Sequence, residues 1–172
     1  MAEGGGKALV ISLLSNNEPA RRQAVSRLAA RFGPVAMLSG LLPFTGTEYY
    51  APEMGTDLKR RLLMFSHLVK DERLAVIKHI CISLENDLRA WGKRLVNIDP
   101  GLMGQENLLL ATTKPKAHRL PLGRGIYGEV TLLFQYGGFL PLPWTYPDYA
   151  GPPCRELLAA WRRRYLWTLS KD

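Results

Sequence analysis

The chain is poor in cysteine. It has two, Cys81 and Cys154, with no Cys-x-x-Cys pair, so neither a zinc site nor a disulfide framework is expected, and a reducing cytoplasm is the simplest location. Long apolar runs are missing as well, and no stretch approaches the roughly 20 residues that cross a bilayer as a helix. The opening Met-Ala-Glu-Gly-Gly-Gly-Lys has no apolar segment ahead of a cleavage site and does not read as a secretory signal. Gly-x-Ser-x-Gly, His-Glu-x-x-His and EF-hand patterns are all absent, which removes the commonest hydrolase, zinc-protease and calcium-binding signatures. RNP-type aromatic motifs are lacking too. Acidic residues are few. Against 23 Lys and Arg stand 15 Asp and Glu, a formal charge of +8 and a pI near 9.7. That imbalance fits an anionic partner: nucleic acid, a nucleotide or a phosphorylated metabolite.

What is present suffices for a globular protein. The 172 residues, 47% of them apolar, predict one domain over 1–172, with residues 1–6 a disordered tail. Lys7 to Leu14 is an apolar run and reads as a buried strand. Ser15 to Glu18 offers caps, Pro19 suits a first helical turn, and Ala24, Val25, Leu28, Ala29 and Phe32 recur at helical spacing up to Gly33-Pro34. Strands are predicted at Val35–Leu42 and Leu58–Phe65. A long helix from Asp71 carries Leu74, Ile77, Cys81, Leu84, Leu88 and Trp91, with Gly92 as its C-terminal stop. Arg94–Ile98 reads as a fourth strand and Asp99-Pro100-Gly101 as a turn. The order β-α-β-β-α-β predicts an α+β protein with a ferredoxin-like core, two helices on one face and the first and third strands central. Met103–Thr112 reads as a short helix, although Leu108-Leu109-Leu110 also fits a strand. A hairpin, His118–Leu122 with Ile126–Gln135, a short strand at Phe139–Leu142 and a C-terminal helix over Cys154–Leu169 extend the core.

Several stretches together resemble an uncharacterised prokaryotic family catalogued as domain of unknown function 4416. They are Tyr-Tyr-Ala-Pro-Glu-Met-Gly at 49–55, Leu-Lys-Arg-Arg at 58–61, Lys-Arg-Leu-Val-Asn-Ile-Asp-Pro-Gly at 93–101, Ala-Thr-Thr-Lys at 111–114, His-Arg at 118–119, Gly-Ile-Tyr-Gly-Glu-Val-Thr-Leu at 125–132 and Leu-Pro-Trp-Thr-Tyr-Pro-Asp-Tyr at 142–149. The resemblance spans nearly the whole chain. It implies a compact single-domain protein and no particular activity. Leu102 departs from it, because an aromatic is expected after Asp-Pro-Gly.

The candidate site follows from polar residues set into strand patterns. If Leu122 faces Gly125 across the hairpin, His118 falls opposite Glu129 and Lys116 opposite Thr131. Tyr127, Glu129 and Thr131 then share one face, and Ile126, Val130, Leu132 and Phe134 the core face. A histidine oriented by a carboxylate is an acid–base or metal-binding unit, so His118 and Glu129 are the candidate catalytic pair, with Tyr127 beside them. Asn97 and Asp99 are poor strand formers that point the same way. Asp99 with Glu129 could hold a divalent cation such as Mg²⁺; an Asx-turn is the plainer role for Asp99. Lys59, Arg60, Lys93, Arg94 and Arg119 are the expected anion contacts. Trp144 to Tyr149 either wall a pocket or pack the open face of the sheet. Arg162-Arg163-Arg164 reads as a solvated helix face. Gly4-Gly5-Gly6-Lys7 looks like a phosphate loop but precedes its strand and lacks a following Ser or Thr. The expected function is binding of, or action on, a nucleotide or other phosphate-containing ligand. The alternative is a non-catalytic RNA-associated protein. No membrane partner is expected.

Overall fold

The structure is a computed structural model and describes residues 5–45 and 47–171. Part of the predicted tail, residues 1–4, lies outside them. Gly6 is held in place, its carbonyl accepting a hydrogen bond from the Tyr165 hydroxyl at 3.0 Å. No helix is long and apolar enough to cross a membrane among the described residues.

The protein is α+β, built on one nine-stranded sheet whose pairs are all antiparallel. Its elements are β1 (Lys7–Ser15), α1 (Glu18–Phe32), β2 (Val35–Leu38), β3 (Leu42–Pro43), α2 (Ala51–Met54), β4 (Lys59–Val69), α3 (Leu74–Asp87), β5 (Asn97–Met103), β6 (Asn107–Thr112), β7 (Leu120–Gly123), β8 (Ile126–Gln135), β9 (Gly138–Pro141), α4 (Pro147–Ala150) and α5 (Pro152–Leu169). The strand order is β2-β4-β1-β5-β6-β8-β7, with β3 on β4 and β9 on β8. The first strand, β1, is therefore interior, as is β4. Each face has its own core. On one side Leu9, Ile11, Leu13, Leu63, Phe65 and Ile98 pack under α1 and α3. On the other Ala8, Val10, Leu62, Met64, Met103 and Leu132 pack under Trp161, Leu158 and Tyr165 of α5. Strand alternation explains the division, because consecutive residues of β1 point to opposite faces.

Local signals for the helices hold well. The side chain of Asn17 caps α1 by accepting from the Ala20 N–H at 2.9 Å. Pro152 and Pro153 start α5, where a missing N–H costs nothing.

Four expectations change. The predicted strand Val35–Leu42 is interrupted: Ser39 donates its N–H to the Leu62 carbonyl while its hydroxyl accepts from the Leu62 N–H, taking over the ladder locally. The long helix ends at Asp87, with Leu88 as its cap, not at Gly92; Trp91-Gly92 instead forms a left-handed two-residue turn closed by paired Ala90–Lys93 hydrogen bonds.

The third change is the largest. Asp99-Pro100-Gly101 is not a turn but the middle of β5, paired with Ser12, Ile11 and Val10 of β1. Pro100 is tolerated because pairing with β6 begins only at Gly101, so alternation aims its missing N–H at an unpaired edge. Gly101 is required because a Cβ there would lie 2.6 Å from the Leu109 carbonyl oxygen. Met103–Thr112 accordingly forms the end of β5, a turn and strand β6 rather than a helix.

The fourth is the register of the hairpin. Gly123, Arg124 and Gly125 all adopt positive φ, and Leu120 pairs with Gly128 and Pro121 with Tyr127, one residue off the expected register. A bulge where Leu108/Leu109 face Leu132/Val130 then turns β8 over. Ile126 belongs to the core under α1 and α3, whereas Leu132 belongs to the core under α5. The apolar set predicted for one face thus serves two. Thr131, predicted beside Glu129 and opposite Lys116, is instead fully buried at the bulge, and Lys116 is exposed.

Candidate functional site

The α5 side of the sheet is apolar only over part of its length. At the end where β1 and β6 finish and β4, β5 and β8 begin, the same face carries Ser12, Arg60, Asn97, Asp99 and Glu129. The chain between β9 and α5 crosses this end as a ribbon, and alternate residues of it each meet a charged or imidazole side chain. Trp144 stacks on His118 with ring centroids 4.7 Å apart, Tyr146 accepts from Arg119 at 3.1 Å, and Asp148 accepts from Arg60 at 2.6 Å. The ribbon is itself tied to β8: the Trp144 indole N–H donates to the Val130 carbonyl and the Thr145 hydroxyl to that of Thr131. That edge of β8 is open there, because β7 pairs with it only as far as Gly128 and β9 only from Leu132.

Around the ribbon lie two groups. In the first, His118 Nε2 is 2.6 Å from Glu129 Oε1, and Arg119 is 3.5 Å from the other oxygen of the same carboxylate. Arg119 also donates to the Lys114 carbonyl at 2.8 Å. Its side chain and that of Glu129 are buried, at 5% and 3% exposure, and the Arg119 Nε has no hydrogen-bond partner among the described residues.

The second group centres on Arg60, which is buried. It pairs with Asp148, donates to the Ser12 hydroxyl, and lies over the rings of Tyr149 and Phe44. Burial opposes its charge, but Tyr149, Asp148 and Asp99 more than offset this, so the guanidinium is held above its ordinary value. Burial also opposes the charge of Asp99. Lys78, donating at 2.7 Å, Arg60, and Asn97, donating to the other oxygen at 2.6 Å, together outweigh that effect, so Asp99 is held below the usual carboxylate range. Arg94 joins Asn97, at 2.9 Å, to Glu53, at 2.9 Å, and lies over Tyr50.

Beyond Gly101, β5 gains β6 as a partner; before it, the outer edge of β5 is bare. Two side chains of α3 take the place of a strand there. Glu85 accepts the Ile98 N–H at 2.6 Å, and Lys78 donates to the Ile98 carbonyl at 3.2 Å. Burial pushes the Glu85 carboxyl up to about 7, against the pull of Lys78.

The structure therefore brings together most of the residues expected from the sequence and separates a few. His118, Glu129, Arg119, Arg60, Asn97, Asp99 and Arg94 occupy one end of one face. Tyr127 lies two residues before Glu129 on β8, half-buried, and pairs with Thr112 and Pro121. Lys59 is held by Asp57 at 3.0 Å, and Lys93 stands exposed on the Trp91-Gly92 turn. Asp99 and Glu129, expected to share a cation, each face protein cations instead. Among the described residues no three His, Cys, Asp or Glu side chains are grouped as metal ligands. Two surface depressions lie elsewhere, one between α1 and α3 beside Arg27 and Ile80, the other between β2 and the end of α5 beside Ala36 and Trp167.

Sequence reasoning missed Lys78 and Glu85 and did not pair Asp148 with Arg60, whereas Glu53 meets Arg94 as one of the acids expected to pair with the basic cluster. A signal existed for the first two. Lys78 and Glu85 fall at helical spacing inside the apolar stripe Leu74, Cys81 and Leu88, and both are buried, at 5% and 6% exposure. A charge on the buried face of a helix needs a partner. Arg162, read as solvated, is fixed over Phe134 and bonded to the Gln105 carbonyl.

Fold and site together describe an α+β protein with a polar, charge-paired patch at one end of an antiparallel sheet. The chain belongs to the family described as Domain of unknown function (DUF4416), whose model matches residues 6–165. No curated protein and no solved structure matches it.

Proposed function

We propose that the charged end of the α5 face binds a small ligand that joins a phosphate group to a planar ring, a nucleotide being the simplest such class. The observation that carries this reading is the arrangement of His118. Its imidazole is held by a buried carboxylate and stacked on the half-exposed indole of Trp144, next to the buried Arg119. Purely structural needs at this position are met more cheaply by apolar side chains, since buried ion pairs seldom stabilise a fold more than good packing does. Their concentration in one place is the pattern expected of a site.

In this reading Arg119 and Arg94 supply the anion contacts, and His118 moves a proton under the control of Glu129. Trp144 and Tyr146 flank the planar part of the ligand. Asp99 and Glu129 act as anchors for Lys78, Asn97, His118 and Arg119 rather than as metal ligands. The order β2-β4-β1-β5, with α1 and α3 on one face, supports reading residues 7–103 as a ferredoxin-like core to which β6–β9 and α5 are added. The free and buried state of Cys81 and Cys154 supports a cytoplasmic location.

A thermal-shift panel of nucleoside mono-, di- and triphosphates and inorganic phosphate, with and without Mg²⁺, tests the proposal. A nucleotide at 100 times its Kd adds about 2.7 kcal/mol of stability, which raises Tm by about 5–10 °C. His118→Ala should reduce that shift. An unchanged Tm with every member of the panel overturns the proposal.

A further inference from the structure

Large aromatic side chains are exposed unevenly over the molecule. Tyr49, Trp91, Trp144 and Tyr146 are 61%, 94%, 37% and 45% exposed and surround the charged end of the sheet; Tyr136 and Trp167 lie at the other end. Trp91 is the most informative. It occupies the first position of a left-handed two-residue turn with φ of 49°, where Asn, Asp or Gly is favoured and a bulky residue is strained. The fold gains nothing from this indole, because almost none of it is buried. The turn is nonetheless fixed beside the site: Arg89 and Arg94, on either side of it, both bond Glu53 of α2, at 3.1 and 2.9 Å.

Cations are interleaved with these rings. The Lys114 ammonium sits 3.5 Å from the centre of the Tyr49 ring. Lys93 adjoins the Trp91 turn, and Lys116 precedes His118 by two residues. None of these three lysines has an ion-pair partner among the described residues. Exposed rings set among free cations form the surface that single-stranded nucleic acid uses, because bases stack on rings of any sequence while phosphates meet lysines. A partner without regularly spaced negative charge would leave the unpaired lysines without counter-charges.

We infer that a single strand of nucleic acid lies across this rim, with one nucleotide in the His118–Arg119 site and the neighbouring bases stacked towards Tyr49 and Trp91. The inference extends the nucleotide reading of the site and rests on it for the position of that one nucleotide. The outer part of the rim, Tyr49, Trp91 and the lysines beside them, stands on separate residues.

The test is fluorescence anisotropy with end-labelled 12-nucleotide oligo(U) and oligo(dT), beside a mononucleotide measured by competition. Trp91→Gly is the variant of choice, since glycine suits the backbone conformation there and removes only an exposed ring. The expected result is oligonucleotide binding that weakens with salt in a linear log–log relation. Trp91→Gly should weaken it about 5- to 150-fold, as loss of one stacked base does, with mononucleotide affinity unchanged. Preference for oligo(U) would assign RNA through its 2′-hydroxyls, and equal binding a single strand of either kind. Oligonucleotides that bind no tighter than the mononucleotide, or bind Trp91→Gly as tightly as the parent, overturn the inference and leave the site reading intact. Oligonucleotide binding that depends on Trp91 while no mononucleotide binds keeps the rim and removes the site. Absence of binding by either probe removes both.

Discussion

Glu85 lends itself to a quantitative test, because it performs a structural task with a group whose charge is unwelcome. Its carboxyl is 8% exposed, accepts the Ile98 N–H at the open edge of β5, and lies 3.8 Å from Arg94. Burial raises it from an ordinary 4.5 to about 7. Each pKa unit corresponds to about 1.36 kcal/mol, so the shift represents about 3 kcal/mol. The sign follows from proton counting. Between pH 4.5 and 7 the native protein holds this proton and the unfolded chain does not. The contribution is therefore complete below pH 4.5, decays as pH rises through 7, and is absent at pH 8. Asp99 acts in the opposite sense at lower pH, because its carboxyl is held down in the fold. A difference measurement isolates Glu85. Glu85→Gln keeps an acceptor for the Ile98 N–H and cannot ionise. Urea unfolding from pH 4 to 8 should show the variant equal to the parent at pH 4 and more stable by about 3 kcal/mol at pH 8. A variant less stable than the parent at pH 8 would refute the reasoning. It would mean that Lys78 and Arg94 hold Glu85 as an anion and that burial is not the dominant influence.

Two further outcomes follow from the packing. Asp148→Ala strands the Arg60 charge in the interior and should cost about 3–5 kcal/mol in denaturant unfolding, while Arg60→Met with Asp148→Leu should recover most of the loss. Near-neutral behaviour of the single variant would show that Arg60 is satisfied without Asp148. Gly101→Ala forces a Cβ to 2.6 Å from the Leu109 carbonyl oxygen and should cost about 1–3 kcal/mol, whereas Gly40→Ala, with no neighbour within 4 Å, should be neutral or slightly stabilising in the same assay.

Much of the architecture was legible along the chain because it depends on neighbours. The stripe Leu74, Ile77, Cys81 defines a helix through its 3.6-residue period, and the run Lys7 to Leu14 defines a buried strand through continuous apolarity. The pairing of His118 with Glu129 was also legible, since a hairpin brings together residues only 11 apart. Even there the outcome survived an error of register: the bulge at Thr131 and the left-handed Gly123-Arg124-Gly125 turn shift the ladder, and the long side chains still meet.

Asp99-Pro100-Gly101 marks the limit of local reading. Its residues have strong turn preferences, and the ladder with β1 overrides them because one free edge excuses Pro100 and one crowded contact demands Gly101. The chain by itself determined the order of its elements, the apolar faces of its helices and the excess of positive charge. Only the tertiary structure decided which acid each cation meets. Arg60 and Asp148 are 88 residues apart, and no periodicity reaches that far. Their contact exists because the ribbon from Trp144 to Tyr149 crosses the sheet at the end that α5 leaves uncovered.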